Sequence, residues 1–115
     1  MPEKTIFDKI VAREVPADIV YENDDVLAFH DIEPQAPVHV LVIPKKRIDS
    51  FTQLGQETNE RIGPFIRGIA ATADSLNLEE NGYRVVFNTG RDALQTVPYI
   101  HAHILGGRSL RWPPG

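Results

Sequence analysis

The strongest periodicity along the chain is helical. Ile62, Phe65, Ile66, Ile69, Ala70, Ala73 and Leu76 recur at i, i+3, i+4, i+7, i+8, i+11 and i+14, which predicts a long amphipathic helix from about residue 56 to residue 76. Pro64 lies inside that pattern and has no N–H to donate, so a kink or a helix start is expected close to it. Ile6, Phe7, Ile10 and Val11 repeat the spacing on a smaller scale, behind Thr5 and with Asp8 three residues further on. That is the pattern of a capping box, and it predicts a short helix closed before Pro16. The other apolar runs read as strands. Residues 19–22 and 26–29 flank Asn23-Asp24-Asp25, whose side chains favour turns, and predict a hairpin. Residues 38–43 are apolar at nearly every position, as in a central strand covered on both faces. Asn81-Gly82 turns into a strand at 83–87, and residues 95–105 form the last strand after the loop 88–93. The order α, β, β, β, α, β, β predicts an α+β fold with a mainly antiparallel sheet.

At 115 residues the chain, 1–115, is expected to be a single domain. Sixteen acidic against twelve basic side chains give a net charge of −4, which repels nucleic acid and anionic membrane surfaces, so neither is expected as a partner. Any phosphate must be held by local groups. The absence of cysteine excludes disulfides, thiolate nucleophiles and cysteine-bound metals. No apolar run approaches the roughly 18 residues of a membrane span, and the first residues do not form a signal-peptide core, so a cytoplasmic protein is expected.

Two of the four histidines fall in one alternating run, Tyr99-Ile100-His101-Ala102-His103-Ile104. In a strand Ile100, Ala102 and Ile104 enter the core while Tyr99, His101 and His103 share the opposite face. The two histidine Cα atoms are then roughly 6.7 Å apart, which lets both rings reach one tetrahedral anion. With an unperturbed pKa of about 6.5, one imidazole can attack while the other donates a proton. Two other readings fit the same residues: a hydrogen-bonded structural or surface pair, and a metal site in which His39 joins His101 and His103 and a fourth position stays open. No carboxylate partner for these rings is evident along the chain.

The segment 95–108, Gln-Thr-Val-Pro-Tyr-Ile-His-Ala-His-Ile-Leu-Gly-Gly-Arg, resembles the signature of the histidine triad (HIT) family. Residues 27–32 and 34–46, the pair Ile6-Phe7, the strand at 83–88 and the ending Trp112-Pro113-Pro114-Gly115 extend the likeness over nearly the whole chain, toward the Hint branch of purine nucleoside phosphoramidases. The resemblance implies a five-stranded antiparallel sheet with two helices, dimerising into a ten-stranded sheet. It also implies hydrolysis of adenosine or guanosine 5′-phosphoramidates through a nucleotidyl-histidine intermediate, with no metal or other cofactor required. By position, His101 matches the nucleophile, His103 the residue that contacts phosphate and leaving group, and His39 a further histidine of the proton relay. Asp31 matches the ribose-binding acid, Phe7, Ile10, Phe29, His30 and Ile32 the purine cleft, and Asn88 and Thr96 the phosphate contacts. Trp112 would lie near the partner subunit's active site. The family pattern His-φ-His-φ-His-φ-φ, with φ apolar, is altered in one place: Tyr99 stands where its first histidine belongs, and is expected to act as a hydrogen-bonding support. Relatives that hydrolyse diadenosine polyphosphates share the nucleophile, and a nucleotide-binding or partner-binding protein with reduced catalysis is the other alternative.

Overall fold

The computed structural model describes residues 3–115. Its elements are α1 (Ile6–Val11), β1 (Ile19–Glu22), β2 (Val26–His30), β3 (Val38–Pro44), α2 (Phe51–Leu54), α3 (Asn59–Ser75), β4 (Tyr83–Val86) and β5 (Ala102–Gly106). The strands form one antiparallel sheet in the order β1-β2-β3-β5-β4, as the α+β expectation requires. Local chemistry sets the predicted boundaries at the N-terminal end. Thr5 Oγ1 accepts from the N–H groups of Phe7 and Asp8 at 3.2 Å each, and Asp8 Oδ2 accepts from the Thr5 N–H at 2.7 Å, closing the capping box. In the β1–β2 turn Asn23 Oδ1 accepts from the N–H groups of Asp25 and Val26.

The sheet has two buried faces, and β3 contributes to both. Val40 and Val42 pack with Val26, Ala28, Ala102 and Ile104 beneath Phe65, Ile69 and Ala73 of α3. Leu41 and Ile43 turn the other way and pack with Leu27, Phe29 and Tyr99 beneath Phe7 and Ile10 of α1. Each fully buried side chain of this size stabilises the fold by about 1.5–3 kcal/mol relative to exposure. The near-continuous apolar run of β3 thus has the double cover its sequence called for.

Three departures from the sequence reading have physical causes. Among the described residues there are three helices rather than two: α2 is a single four-residue turn, too short to carry a period, anchored by buried Leu54. In α3 the buried positions are Phe65, Gly68, Ile69, Thr72 and Ala73, while Ile66 and Ala70 are exposed. A Cβ at Gly68 would come within 2.6 Å of the Val26 methyl carbons, so the helix lies too close to β2 for any side chain there. Thr72 is buried because its hydroxyl donates to the Gly68 carbonyl at 2.7 Å. Pro64 sits inside this helix, which starts five residues earlier at Asn59. Finally, the last strand is shorter than 95–105, beginning only at Ala102. Pro98 has no N–H for a ladder, and its neighbours bond elsewhere: the Ile100 N–H donates to Ile48 O at 2.7 Å and the Tyr99 N–H to Val97 O at 2.8 Å.

Candidate active site

The predicted alternation survives the loss of strand before Ala102. Ile100, Ala102 and Ile104 face α3, whereas Tyr99 packs on the α1 side and His101 and His103 follow it there. His103 pairs with Leu41 across the β3–β5 ladder, and His39 lies two positions away on the same face of β3. The rings of His101 and His103 are 5.0 Å apart, and those of His39 and His103 are 5.2 Å apart.

Hydrogen bonds assign the proton positions. The Gln35 N–H donates to His39 Nδ1 at 3.0 Å, so the neutral His39 ring carries its proton on Nε2. That N–H donates to His103 Nδ1 at 2.9 Å, which places the His103 proton on Nε2, a buried atom with no partner among the described residues. His101 Nδ1 lies 2.8 Å from the Tyr99 carbonyl oxygen, which can only accept, so Nδ1 carries the hydrogen and Nε2 keeps its lone pair. A bare nucleophilic nitrogen and an unpartnered N–H donor therefore stand side by side. Asp31 Oδ2 lies 3.4 Å from His39 Nε2, supplying the carboxylate that the sequence did not reveal.

Burial holds all three imidazoles neutral. Desolvation is the main cause of the lowered pKa of His39 and of His101, and is opposed by Asp31 and, at His101, also by the Tyr99 carbonyl. His103 is lowered to about 4 by burial and then by its two histidine neighbours, with Asp31 again opposing. The Tyr99 hydroxyl does not touch these rings. It donates to the Pro44 carbonyl, and burial raises its pKa.

Beside the imidazoles opens a cleft of about 440 Å³, lined by Phe7, Ile10, Phe29, His30, Asp31 and Ile32, every residue assigned to base and ribose by resemblance. It also takes in Ile6, Val15, Pro16, Ala17, Asp18 and Leu41, which the sequence reading missed. Residues 15–17 follow Arg13, whose left-handed conformation (φ 62°) lies just past the end of α1. Phe7 joins cleft to histidines, its ring 5.0 Å from that of His101. Thr96 is exposed and lines a separate depression with Arg47, Asp49 and Pro98. Asn88 is half-buried just beyond β4, outside the cleft lining. Trp112 is 81% exposed, with the Arg84 guanidinium 5.9 Å from its ring.

Donor atoms of Asp31, His39 and His103 lie within 4.8 Å of one another, a set that differs from the sequence-derived metal candidate by Asp31 in place of His101. The His39–His103 nitrogens are 2.9 Å apart. That is hydrogen-bond distance, and two ligands of a tetrahedral zinc with bonds near 2.0 Å would stand about 3.3 Å apart.

A model of the HIT domain matches residues 12–110. The chain is 46% identical over 110 residues to the purine nucleoside phosphoramidase of Escherichia coli (strain K12), covering 96% of this chain and 92% of that protein. It is 47% identical over 113 residues to the 14 kDa zinc-binding protein of Zea mays, covering 96% and 88%. Among solved structures, a HIT family hydrolase from Legionella pneumophila Philadelphia 1 aligns with a TM-score of 0.90 at 42% identity, over 97% of this chain and 100% of that one. The histidine triad nucleotide-binding protein from Candida albicans aligns with a TM-score of 0.79 at 30% identity, over 96% and 83%.

Proposed function

This chain belongs to the HIT domain family, and on that premise we propose that it hydrolyses purine nucleoside 5′-phosphoramidates through a covalent intermediate on His101. The observation that carries the reading is the free lone pair on His101 Nε2, held by the Nδ1–H bond to Tyr99 O beside a cleft of nucleotide size. Nε2 attacks the α-phosphorus as the P–N bond breaks, and the electron pair leaves on the amine nitrogen. His103 takes up a proton from solvent once the phosphoryl anion is seated against it, and the resulting imidazolium gives its Nε2 proton to that nitrogen. Water then attacks phosphorus and passes a proton to His103 Nε2. The bond to His101 breaks and restores its lone pair, and His103 returns to solvent the proton it took up at the start as the nucleoside monophosphate leaves. His39 fixes His103 through the 2.9 Å hydrogen bond, and Asp31 has an oxygen 3.4 Å from His39 and a place in the cleft wall from which to take ribose hydroxyls.

The same reading includes a homodimer with Trp112 near the partner's site. β4 is an edge strand with Tyr83 and Val85 exposed, and Arg84 of that strand donates to the Arg111 carbonyl, keeping the tail beside the unpaired edge. Light scattering at micromolar concentration is expected to give twice the mass of 12.9 kDa, and a monomer would exclude this part. Among the described residues no helix is long and apolar enough to cross a membrane.

The decisive measurement sets rates on an adenosine 5′-phosphoramidate beside rates on a dinucleoside polyphosphate. Faster turnover of the phosphoramidate, with an acid-labile nucleotidyl adduct trapped on His101, supports the proposal. Faster turnover of the dinucleotide, or binding with no turnover of either, replaces it.

A further inference from the structure

The nucleophile sits on a stretch the sheet does not hold. From Val97 to His101 the chain is outside the β ladder, yet the Tyr99 carbonyl must be fixed if it is to fix the His101 proton. Besides the local bonds to Val97 O from the Tyr99 N–H and from Gln95 Nε2, three restraints reach this stretch from residues 44–48: the Ile100 N–H donates to Ile48 O, the Tyr99 hydroxyl donates to Pro44 O, and Arg47 Nη2 donates to Pro98 O at 2.8 Å. Arg47 has further bonds. Its Nε donates to Asp49 Oδ1 at 2.7 Å, and its Nη1 to Glu3 O at 2.9 Å and to Asp8 Oδ2 at 3.0 Å. The guanidinium carbon is 5.9 Å from the Tyr99 ring centroid, and the side chain is only 18% exposed. Asp8 is the capping-box acid of α1, the helix whose Phe7 both lines the cleft and packs against the His101 ring.

We propose that Arg47 is a positioning residue that registers the α1 wall of the cleft and the Pro98–Tyr99 support of His101 against each other. The proposal rests on His101 being the nucleophile. A planar guanidinium with five fixed N–H donors reaches acceptors on three segments at once, which a lysine ammonium on a flexible stem does not. Registration matters to rate because a displacement of about 1 Å at a reacting group costs roughly a hundredfold. The neighbouring Lys45 pairs with Glu22 and Lys46 is exposed, so neither shares this position.

The test compares Arg47→Met and Arg47→Lys with Arg67→Met, a change at an exposed position of α3. Three quantities are read: the imidazole 15N shifts of His101, kcat and KM for an adenosine 5′-phosphoramidate, and the calorimetric Kd for AMP. In folded Arg47→Met, His101 is expected to lose its single Nδ1–H form and kcat to fall about 10- to 100-fold, with Arg47→Lys recovering part of both and Arg67→Met matching the parent. Unchanged His101 nitrogens and a kcat within twofold in either folded Arg47 variant overturn the proposal, and if Arg47→Met does not fold, Arg47→Lys decides. A parent without phosphoramidate turnover sinks the functional reading instead, while the nitrogen shifts still judge Arg47.

Discussion

The two faces of the sheet are built from the same strands by the same alternation, yet among the described residues only one carries buried imidazoles. On the α3 side every inward position of β2, β3 and β5 is aliphatic, and even buried Thr72 is satisfied by its own helix. On the α1 side the rows run from Leu27, Ile43 and Tyr99 into His39, His101 and His103. Replacing aliphatic side chains with imidazoles on a buried face is tolerable only if the rings stay neutral and their nitrogens are hydrogen-bonded. Main-chain groups meet part of that need here: the Gln35 N–H and the Tyr99 carbonyl leave one lone pair and one N–H facing the same space. One face is spent on stability, the other on a poised pair of nitrogens.

The sharpest way to break this contrast is to truncate one residue on each face. His101→Ala is expected to cut turnover about a thousandfold or more, with AMP binding retained, because the attacking atom is gone. Ile104→Ala, on the α3 face of the same strand, is expected to lose about 2–5 kcal/mol of stability while turnover per folded molecule stays near the parent's. Steady-state kinetics and urea melts on both variants read the two effects. If the Ile104 variant loses turnover as heavily as the His101 variant, the faces are not separable.

Acid separates the two faces, since among the described residues the buried cluster on the α3 side holds no ionisable group. The unfolded chain protonates each histidine below about pH 6.5, whereas the folded site binds the proton on His103 only near pH 4 and holds His39 and His101 below their usual value as well. Between those limits the unfolded state carries more protons, so stability falls as pH drops from 6.5 toward 4, by up to about 1.4 kcal/mol per pH unit for His103, with His39 and His101 contributing in the same direction below 6.5. Urea melts at pH 7, 6, 5 and 4.5 measure the slope. His103→Gln is expected to flatten it, and an unchanged slope removes His103 from the buried neutral set. AMP binding at pH 6 is expected to take up protons, seen as a buffer-dependent heat, because the phosphate charge favours protonated His103.

A smaller effect isolates the α3 face. Gly68→Ala brings a methyl group against Val26 and is expected to cost about 1–3 kcal/mol with no change in turnover. A neutral or stabilising result would mean that α3 can lift away from β2.

How much of this was legible in the sequence follows from which interactions are periodic. Alternation assigned Ile100, Ala102 and Ile104 to one face and His101 and His103 to the other, because pleating fixes direction whatever the partner is. The helical period found α3 but put Ile66 and Ala70 inside in place of Gly68 and Thr72, since a close helix–sheet approach selects for small residues that no hydrophobicity count favours. Asp31 beside His39 depends on how the loop at 31–37 folds back to bring the Gln35 N–H to the ring, and nothing in residue spacing encodes that. Arg47 was hidden in Lys45-Lys46-Arg47, which has the composition of a solvated basic run. The family resemblance supplied Asp31 and the cleft residues, and for Thr96 it named a residue that lies in a different depression.

The finest test of the comparison is Tyr99, the one polar side chain on the α1 face that lies wholly within its core. Its ring is 1% exposed, packs edge-on to Phe7 at 5.9 Å, and sends its hydroxyl to the Pro44 carbonyl at the end of β3. What it gives His101 is a main-chain carbonyl, and any residue has one. Tyr99→Phe keeps the ring and the carbonyl but leaves a buried acceptor without its donor, so the expected loss is about 1–3 kcal/mol of stability, with kcat within about threefold of the parent. Tyr99→His restores an N–H donor and is expected to cost less than the phenylalanine. These outcomes place Tyr99 with the packing residues despite its position in the run that carries His101 and His103. An inactive parent rescued by Tyr99→His would show the opposite, that the phenol misplaces the nucleophile, and the protein would then be a nucleotide binder whose chemistry the tyrosine has switched off.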